Sequence, residues 1–312
     1  MKGMLDLPSV TVAVLTFKRP TDIHEALPQL LDQVSRYPGH GRVLVIDNDA
    51  AASAADIVGS FTEENLTYVV EATPGIAAAR NRALAETSTD LIVFIDDDER
   101  PVADWLELLV AEYRKHPGAL GVFGLVESSF ATEPDPWLVA GRFFERRKPA
   151  TGSVREVVAT NNLLIDMARL RELDLSFDQD YGISGGSDTM FSRQALQRGG
   201  TFYFCAEALV HDVVPAERAT REWVLKRSHR AGNSWSRTQV AVIESPVKRF
   251  AARIKLSASG LARIGFGVAR GAFGLVTRNM AQRANGARNI YRGAGLVSGA
   301  WGHTHVEYAR KD

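Results

Sequence analysis

The sequence predicts an α/β fold, a mostly parallel sheet with helices flanking both faces. Two observations carry this. From residue 10 to about residue 100, short apolar runs alternate with segments of helical spacing, as in right-handed βαβ units. The runs also end in polar clusters, most sharply in Leu91 to Pro101, LIVFIDDDERP. A strand buried on both faces reads as a continuous apolar stretch, and open α/β sheets bind ligands beyond the carboxyl ends of their strands. Four adjacent carboxylates there call for a cation, and a divalent metal is the economical one.

In order, VTVAVLTF (10–17) reads as a buried strand. Residues 21–36 read as a helix, with Ile23, Ala26, Leu27, Leu30, Leu31 and Val34 on one face and Asp22 as its cap. Strands over 43–46 and 67–70 bracket a helix over about 53–61. IAAARNRALAE, after Thr73-Pro74-Gly75, reads as a helix leading into the 91–96 strand. Three strand ends then converge: Thr16 with Phe17, Asp47, and Asp96 to Asp98. On an extended backbone, alternation would turn Asp97 to the opposite face from Asp96 and Asp98. Further on, 101–116 reads as a helix and 119–126 as a strand. Residues 128–151 read as a mobile loop with a basic cluster at Arg142, Arg146, Arg147 and Lys148. Residues 157–165 form a strand whose Thr160, Asn161 and Asn162 suggest sugar contacts. Asp188 opens a helix over 189–197, where the plain reading is an N-cap. Residues 220–237 form a helix that breaks near Gly232.

The 312 residues carry 37 Lys and Arg against 37 Asp and Glu, yet the balance is uneven along the chain. Residues 1–245 hold 25 basic and 35 acidic side chains, and residues 246–312 hold 12 and 2. An acidic module and a basic one share the chain, and the basic one implies an anionic partner. Cys205, the one cysteine, excludes an intramolecular disulfide and reads as a buried strand residue. No signal-peptide-like segment and no run of membrane-spanning length is present, so a cytoplasmic protein, peripheral at the inner face of the cell membrane, is expected.

VTVAVLTFKRP, VLVIDND, TPGIAAARNRAL and FIDDDERPVADWLELL, in this order and spacing, resemble the nucleotide-sugar half of the inverting family 2 glycosyltransferases of the GT-A, Rossmann-like fold. GISGGSDTMFSRQALQRGG and ALVHDVVPAERATREWVLKRSHRAG resemble the same family's acceptor half. The resemblance spans roughly residues 8–235. It implies transfer of a sugar from a nucleotide-sugar donor, a UDP-sugar above all, to a hydroxyl of a glycan or lipid-linked acceptor, as in polysaccharide biosynthesis. It also implies an Asp-x-Asp motif holding Mn²⁺ or Mg²⁺, with Asp98 as metal ligand, Asp96 on ribose or metal, and His211 near metal or diphosphate. Asp47 would accept from the nucleobase, Arg80 would face phosphate or base, and Thr16, Phe17 and Arg19 would line the base pocket. Arg227 and Arg230 would meet the diphosphate from a closing helix, and Asp188 would be the general base. Ser187 stands where the family usually has Glu, which weakens what can be carried over about the acceptor. A nucleotide-sugar-binding membrane protein without turnover and a nucleotidyltransferase are the alternatives; the latter would want a glycine-rich loop where this chain has TFKRP.

Three segments follow: a nucleotide-sugar half (1–100), an acceptor half with the closing helix (101–245), and a basic amphipathic tail (246–312). In the tail, Arg249, Arg253, Arg263, Arg270, Arg278, Arg288 and Arg292 fall within an arc of about 100° on one helical projection, opposite most of the large apolar residues. That is the pattern of helices in an anionic membrane interface, and frequent glycine predicts two or three short helices. A helical subdomain packed on protein, or a homo-oligomer contact, is the other reading. A nucleic-acid partner is not expected, because no recognised binding module accompanies the stripe.

Overall fold

The computed structural model describes residues 7–304; the ends of the first and third segments lie outside the described residues. The chain begins β1 (Val10–Thr16), α1 (Pro20–Arg36), β2 (Gly41–Asp47), α2 (Ala55–Val58), β3 (Leu66–Val70), α3 (Ile76–Glu86) and β4 (Leu91–Asp96). β5 (Glu99–Pro101), α4 (Trp105–Arg114), β6 (Gly121–Phe130), α5 (Pro136–Gly141), β7 (Val154–Arg155), β8 (Asn162–Asp166) and α6 (Met167–Glu172) follow. The last elements are α7 (Ser187–Gln197), β9 (Phe202–Val214), α8 (Arg221–Ala241), α9 (Pro246–Val276) and α10 (Met280–Ala300).

The sheet runs β3-β2-β1-β4-β8-β6-β9-β5, with β7 on β9. β3, β2, β1 and β4 are parallel, and β8 joins β4 antiparallel. The flanking helices and the parallel β3-β2-β1-β4 half are as expected, whereas β8 with β4 and β6, β5 with β9 and β7 with β9 pair antiparallel. In β1, β2 and β4 alternate side chains feed two cores. Val10, Val12, Val14, Val43, Val45, Leu91, Val93 and Ile95 pack with α1 and α4 on one side. Ala13, Leu44, Ile46, Ile92 and Phe94 pack with α3 and Phe191 on the other. Burial on both faces is why these strands read as unbroken apolar runs. The register sets Thr16 opposite Asp47 and Leu15 opposite Asp96, so three strand ends share one rim.

Local boundaries differ where capping decides them. α1 starts at Pro20, whose fixed φ suits the first helical turn, and its N-cap is Arg19. Asp22, read as the cap, lies inside that first turn, where a carboxylate favours the helix N-terminus. The 101–116 helix is shorter, because Glu99–Pro101 pairs with β9 as a strand.

The chain divides into two compact units: Met1–Glu127, Arg146–Ile183 and Met190–Asp212 form one, and Ser128–Glu145, Ser184–Thr189 and Val213–Asp312 the other. Residue 100 thus lies inside the first unit and residue 245 inside the second.

In the second unit α8, α9 and α10 pack on one another. The tail is two long helices, of 31 and 21 residues, rather than several short ones. Glycine, read as a helix weakener, is here the contact residue. A Cβ on Gly260 would stand 2.7 Å from the Gly293 carbonyl oxygen, and one on Gly267 would stand 2.7 Å from that of Gly286. Gly232 likewise lets α8 lie against the backbone of α10 at Arg292 and Leu296, so the expected break in α8 does not occur. Close packing offsets the roughly 1 kcal/mol that each helical glycine forfeits. No helix among the described residues is long and apolar enough to cross a membrane.

Candidate functional site

The centre of the first unit's rim is the turn after β4. Strand geometry ends at Asp96, residues 97–98 form a turn, and alternation stops with the strand. Asp97, expected to face away, instead points toward the end of β1: its Oδ2 accepts from the Thr16 hydroxyl at 2.8 Å, and its Oδ1 accepts from Arg19 Nη1 at 3.0 Å. The same Nη1 reaches Asp98 Oδ2 at 3.1 Å. The cation demanded by the acidic cluster is thus supplied in part by Arg19. Burial raises the Asp97 pKa to about 6 against the pull of Arg19, with Asp98 adding to the rise. Burial opposes charge on Arg19 too, yet Asp97 and Asp98 hold its pKa above the ordinary value.

Glu99 is almost wholly enclosed, at 1% exposure. Its Oε2 accepts the Asp96 backbone N–H at 3.1 Å and its Oε1 accepts Asn161 Nδ2 at 2.5 Å. Burial, then the proximity of Asp96, pushes its pKa well above the carboxylate range. Arg100 closes the turn by donating to the carbonyls of Asp97 and Glu99, both at 2.9 Å. Glu99 was expected only as one of four carboxylates calling for a cation, and Arg100 was given no role; the signal was a Glu-Arg pair directly after the triple Asp, just before the stretch read as a helix.

At the end of β2, Asp47 is fully enclosed and its carboxylate serves its own loop. Oδ1 accepts from Asp49 N at 3.0 Å, while Oδ2 accepts from Ala54 N and the Tyr68 hydroxyl, both at 2.8 Å. A nucleobase contact was expected of this carboxylate; here it is fully buried and accepts three donors from its own loop and β3. Asn48 was missed altogether: its Nδ2 donates to the carbonyls of Glu71 and Thr73 at 2.9 and 2.7 Å, and its Oδ1 accepts from Gly75 N at 3.0 Å. It ties the β2 end to the start of α3. Gly75 caps α3 at φ 116°, in the region that favours glycine. Arg80, on α3, is buried with its guanidinium carbon 5.3 Å from the Phe177 ring centroid. Phe17, half-buried beyond β1, has Lys18 Nζ 5.3 Å from its ring centroid.

Asn162, read among the sugar-contacting residues, is a core amide. It accepts from Trp105 Nε1 at 2.8 Å and donates to the carbonyls of Leu125 and Ala208 at 3.0 and 2.8 Å. Gly124 leaves it room, since a Cβ there would collide with Asn162 and the Ala208 carbonyl. His211 stands opposite Arg100 in the β5–β9 ladder, half-buried, and its neighbour Asp212 pairs with Arg146 at 3.4 Å. Among the described residues no three His, Cys, Asp or Glu side chains converge on a metal position, so His211 is not brought into one cage with Asp96 and Asp98.

The second unit holds the other candidates. Asp188 lies in the first turn of α7, behind Gly185 and Gly186 at φ 75° and 97°, so it sits within the helix rather than capping it. On α8, Arg227 and Arg230 lie over the Trp223 ring, their guanidinium carbons 5.3 and 5.8 Å from its centroid, and Phe144 stacks on that ring at 6.1 Å. Within the tail, the stripe is largely engaged by the protein itself. Arg249 donates to the Ile243 carbonyl, Arg270 to Gln282, and Arg288 to the Gly141 carbonyl. One projection across 246–312 fails because the chain turns between α9 and α10.

As a donor set, Asp96 and Asp98 offer hard oxygens on one turn, which suits Mg²⁺ or Mn²⁺. Such ions take one or two carboxylates and complete their shell with phosphate and water, so the lack of a three-residue cage is compatible with them.

The model of the family described as "Glycosyl transferase family 2" matches residues 11–172. The succinoglycan biosynthesis protein ExoM of Rhizobium meliloti (strain 1021) is 34% identical over 233 residues, covering 73% of this chain and 74% of that protein. The glycosyltransferase AglE of Haloferax volcanii is 28% identical over 234 residues, 72% of each. Among solved structures, the mannosyltransferase PcManGT from Pyrobaculum calidifontis, in complex with GDP-Man and Mn²⁺, has a TM-score of 0.59 at 19% identity, over 96% of this chain and 88% of that one. GalNAc-T7 with UDP, GalNAc and Mn²⁺ has a TM-score of 0.54 at 13% identity, over 80% of this chain and 55% of that one. These two share the GT-A type of fold. A family match over half the chain, with a relative at this identity over most of it, means that the chain belongs to glycosyl transferase family 2 and is a glycosyltransferase.

Proposed function

We propose that the protein transfers a sugar, with inversion, from a nucleotide-sugar donor to a hydroxyl of a growing, lipid-linked glycan at the cytoplasmic membrane face. The observation that carries the reading is the acidic turn Asp96–Glu99, clamped beside Thr16 and Arg19 at the carboxyl rim of the sheet. The name of the relative ExoM, a succinoglycan biosynthesis protein, supports a polysaccharide acceptor.

In this reading Asp96 and Asp98 hold Mn²⁺ or Mg²⁺ with the donor diphosphate, and both solved neighbours carry Mn²⁺ beside their nucleotide or sugar nucleotide. Bound there, such an ion stabilises negative charge on the leaving diphosphate. Arg19 shares Asp98 and holds Asp97, keeping the turn in place when the donor is absent. Glu99 fixes the Asp96 backbone from beneath. Asp47 and Asn48 act by shaping the loops that face the nucleoside, and Arg80, Thr16 and Phe17 line that side. Asp188, from a different part of the chain, takes the acceptor hydroxyl proton, as inversion requires of a base opposite the leaving group. His211, Arg227 and Arg230 bear on the diphosphate.

The test is nucleoside diphosphate release from a panel of uridine, guanosine and thymidine diphosphate sugars, with Mn²⁺, Mg²⁺ or EDTA. Release with one nucleotide class, abolished by EDTA, supports the reading. Donor binding without release, whatever acceptor is offered, overturns it.

A further inference from the structure

Among the described residues the side of α9 turned away from α10 is largely uncovered, with Phe250 meeting the edge of the Trp301 ring at 6.4 Å near its start. Val247, Phe250, Ile254, Leu261, Phe266, Val268, Phe273, Leu275 and Val276 are all exposed, from 49% at Ile254 to 85% at Val276. At about 100° per residue these nine side chains fill an arc of about 180°. The centre of that arc is opposite the stripe Leu256, Gly260, Gly267 and Gly274, the residues of α9 that are buried. Between Leu256 and Val276 the charged residues are Arg263 and Arg270, and both project outside the arc. Lys248 and Lys255 project at one edge of it, in line with Phe266 and Phe273 farther along. From Ser245 to Thr304 the chain has ten Lys and Arg and no Asp or Glu.

We propose that this face is a lipid contact: α9 lies along the surface of an anionic bilayer, its outer half sunk to the level of the acyl chains. Two features choose lipid over a second copy of the chain. A helix partner covers a seam of about 100° or less, which would strand Phe266 and Phe273, whereas a bilayer covers half a cylinder. A second copy on this face would also bring Lys248 and Lys255 toward their counterparts, with no Asp or Glu between Ser245 and Thr304 to meet them. Anionic headgroups supply the missing charge, and Lys248 and Lys255 are placed to reach them while their stems run beside the apolar side chains. Arg249, Arg270 and Arg288 are bonded within the protein and are not lipid-facing. The inference deepens the reading of a lipid-linked acceptor, but vesicle binding is measured without donor or acceptor, so either can fail while the other stands.

The experiment is cosedimentation of the full chain with phosphatidylcholine vesicles, with and without phosphatidylglycerol. Wild type binds the phosphatidylglycerol vesicles. Leu261→Glu with Val268→Glu weakens binding by more than about tenfold, because two charges enter the apolar face. Lys248→Gln with Lys255→Gln weakens it by about fivefold per lysine on anionic vesicles only. Circular dichroism checks folding, and Phe266→Ser with Leu275→Ser, milder exposed changes, stands in if the glutamate pair unfolds. Wild type left in the supernatant, or folded face variants that bind as wild type does, overturn the proposal. So does a wild type that is dimeric in solution and becomes monomeric with the glutamate pair, since the occupant is then a second copy.

Discussion

Replacing Asp47 separates a residue that builds the nucleoside-side loop from one that touches the base. Its carboxylate receives three donors, Asp49 N on Oδ1 and Ala54 N with the Tyr68 hydroxyl on Oδ2, with no exposure to solvent. Asp47→Ala leaves all three unsatisfied, and at about 1–2 kcal/mol each the loss is roughly 3–6 kcal/mol. That is a large part of the stability of an ordinary domain. Asp47→Asn keeps the shape, but its amide must face either Asp49 N or Ala54 N. The tyrosine hydroxyl can turn to accept, a backbone N–H cannot. One bond and the charge assistance are lost, about 1–3 kcal/mol. Tyr68→Phe removes one bond, about 1 kcal/mol. Urea denaturation midpoints at constant slope read this order, Ala worst and Phe mildest. An Asp47→Ala protein within about 1 kcal/mol of wild type, with sharply weaker nucleotide binding, would refute the loop-building role and restore the base contact.

Other consequences follow from the same contacts. Asn162→Ala leaves Trp105 Nε1 and two strand carbonyls unpaired in the core, and should lower stability by about 3–5 kcal/mol in urea denaturation. A loss under about 1 kcal/mol would mean that water takes its place. Gly267→Val puts a branched side chain 2.7 Å from the Gly286 carbonyl and should destabilise the helix pair by about 1–3 kcal/mol, while Gly265→Ala, at a position with open space, should be neutral or slightly stabilising by thermal melting. Equal effects at the two positions would deny glycine its contact role.

The sheet was legible because burial on both faces writes itself into Val12, Val45 and Val93 as unbroken apolar runs. The strand-end clustering of Thr16, Asp47 and Asp96 followed from parallel register alone. Asp97 was misdirected because alternation was extended two residues past the last strand residue, and nothing local marks that end. Asp47 and Asn48 depend on partners 2 to 27 positions away, at Asp49, Tyr68 and Gly75, which a linear reading does not pair. Asn162 looked like a ligand group because its three partners lie 37 to 57 positions away. The tail glycines carried the wrong sign for the same reason: glycine weakens an isolated helix, and whether it sits at a close approach is decided by Gly286 and Gly293 on another helix.

In the proposed reaction a turn at Asp96 and Asp98 holds the donor and Asp188 is the base. Turnover of Asp188→Asn, measured beside its nucleotide affinity in Mn²⁺, tests this most directly. Nucleotide affinity should stay within about twofold of wild type while transfer slows by about 10²- to 10⁴-fold, the usual range for loss of a general base. Full transfer activity in Asp188→Asn would contradict that role.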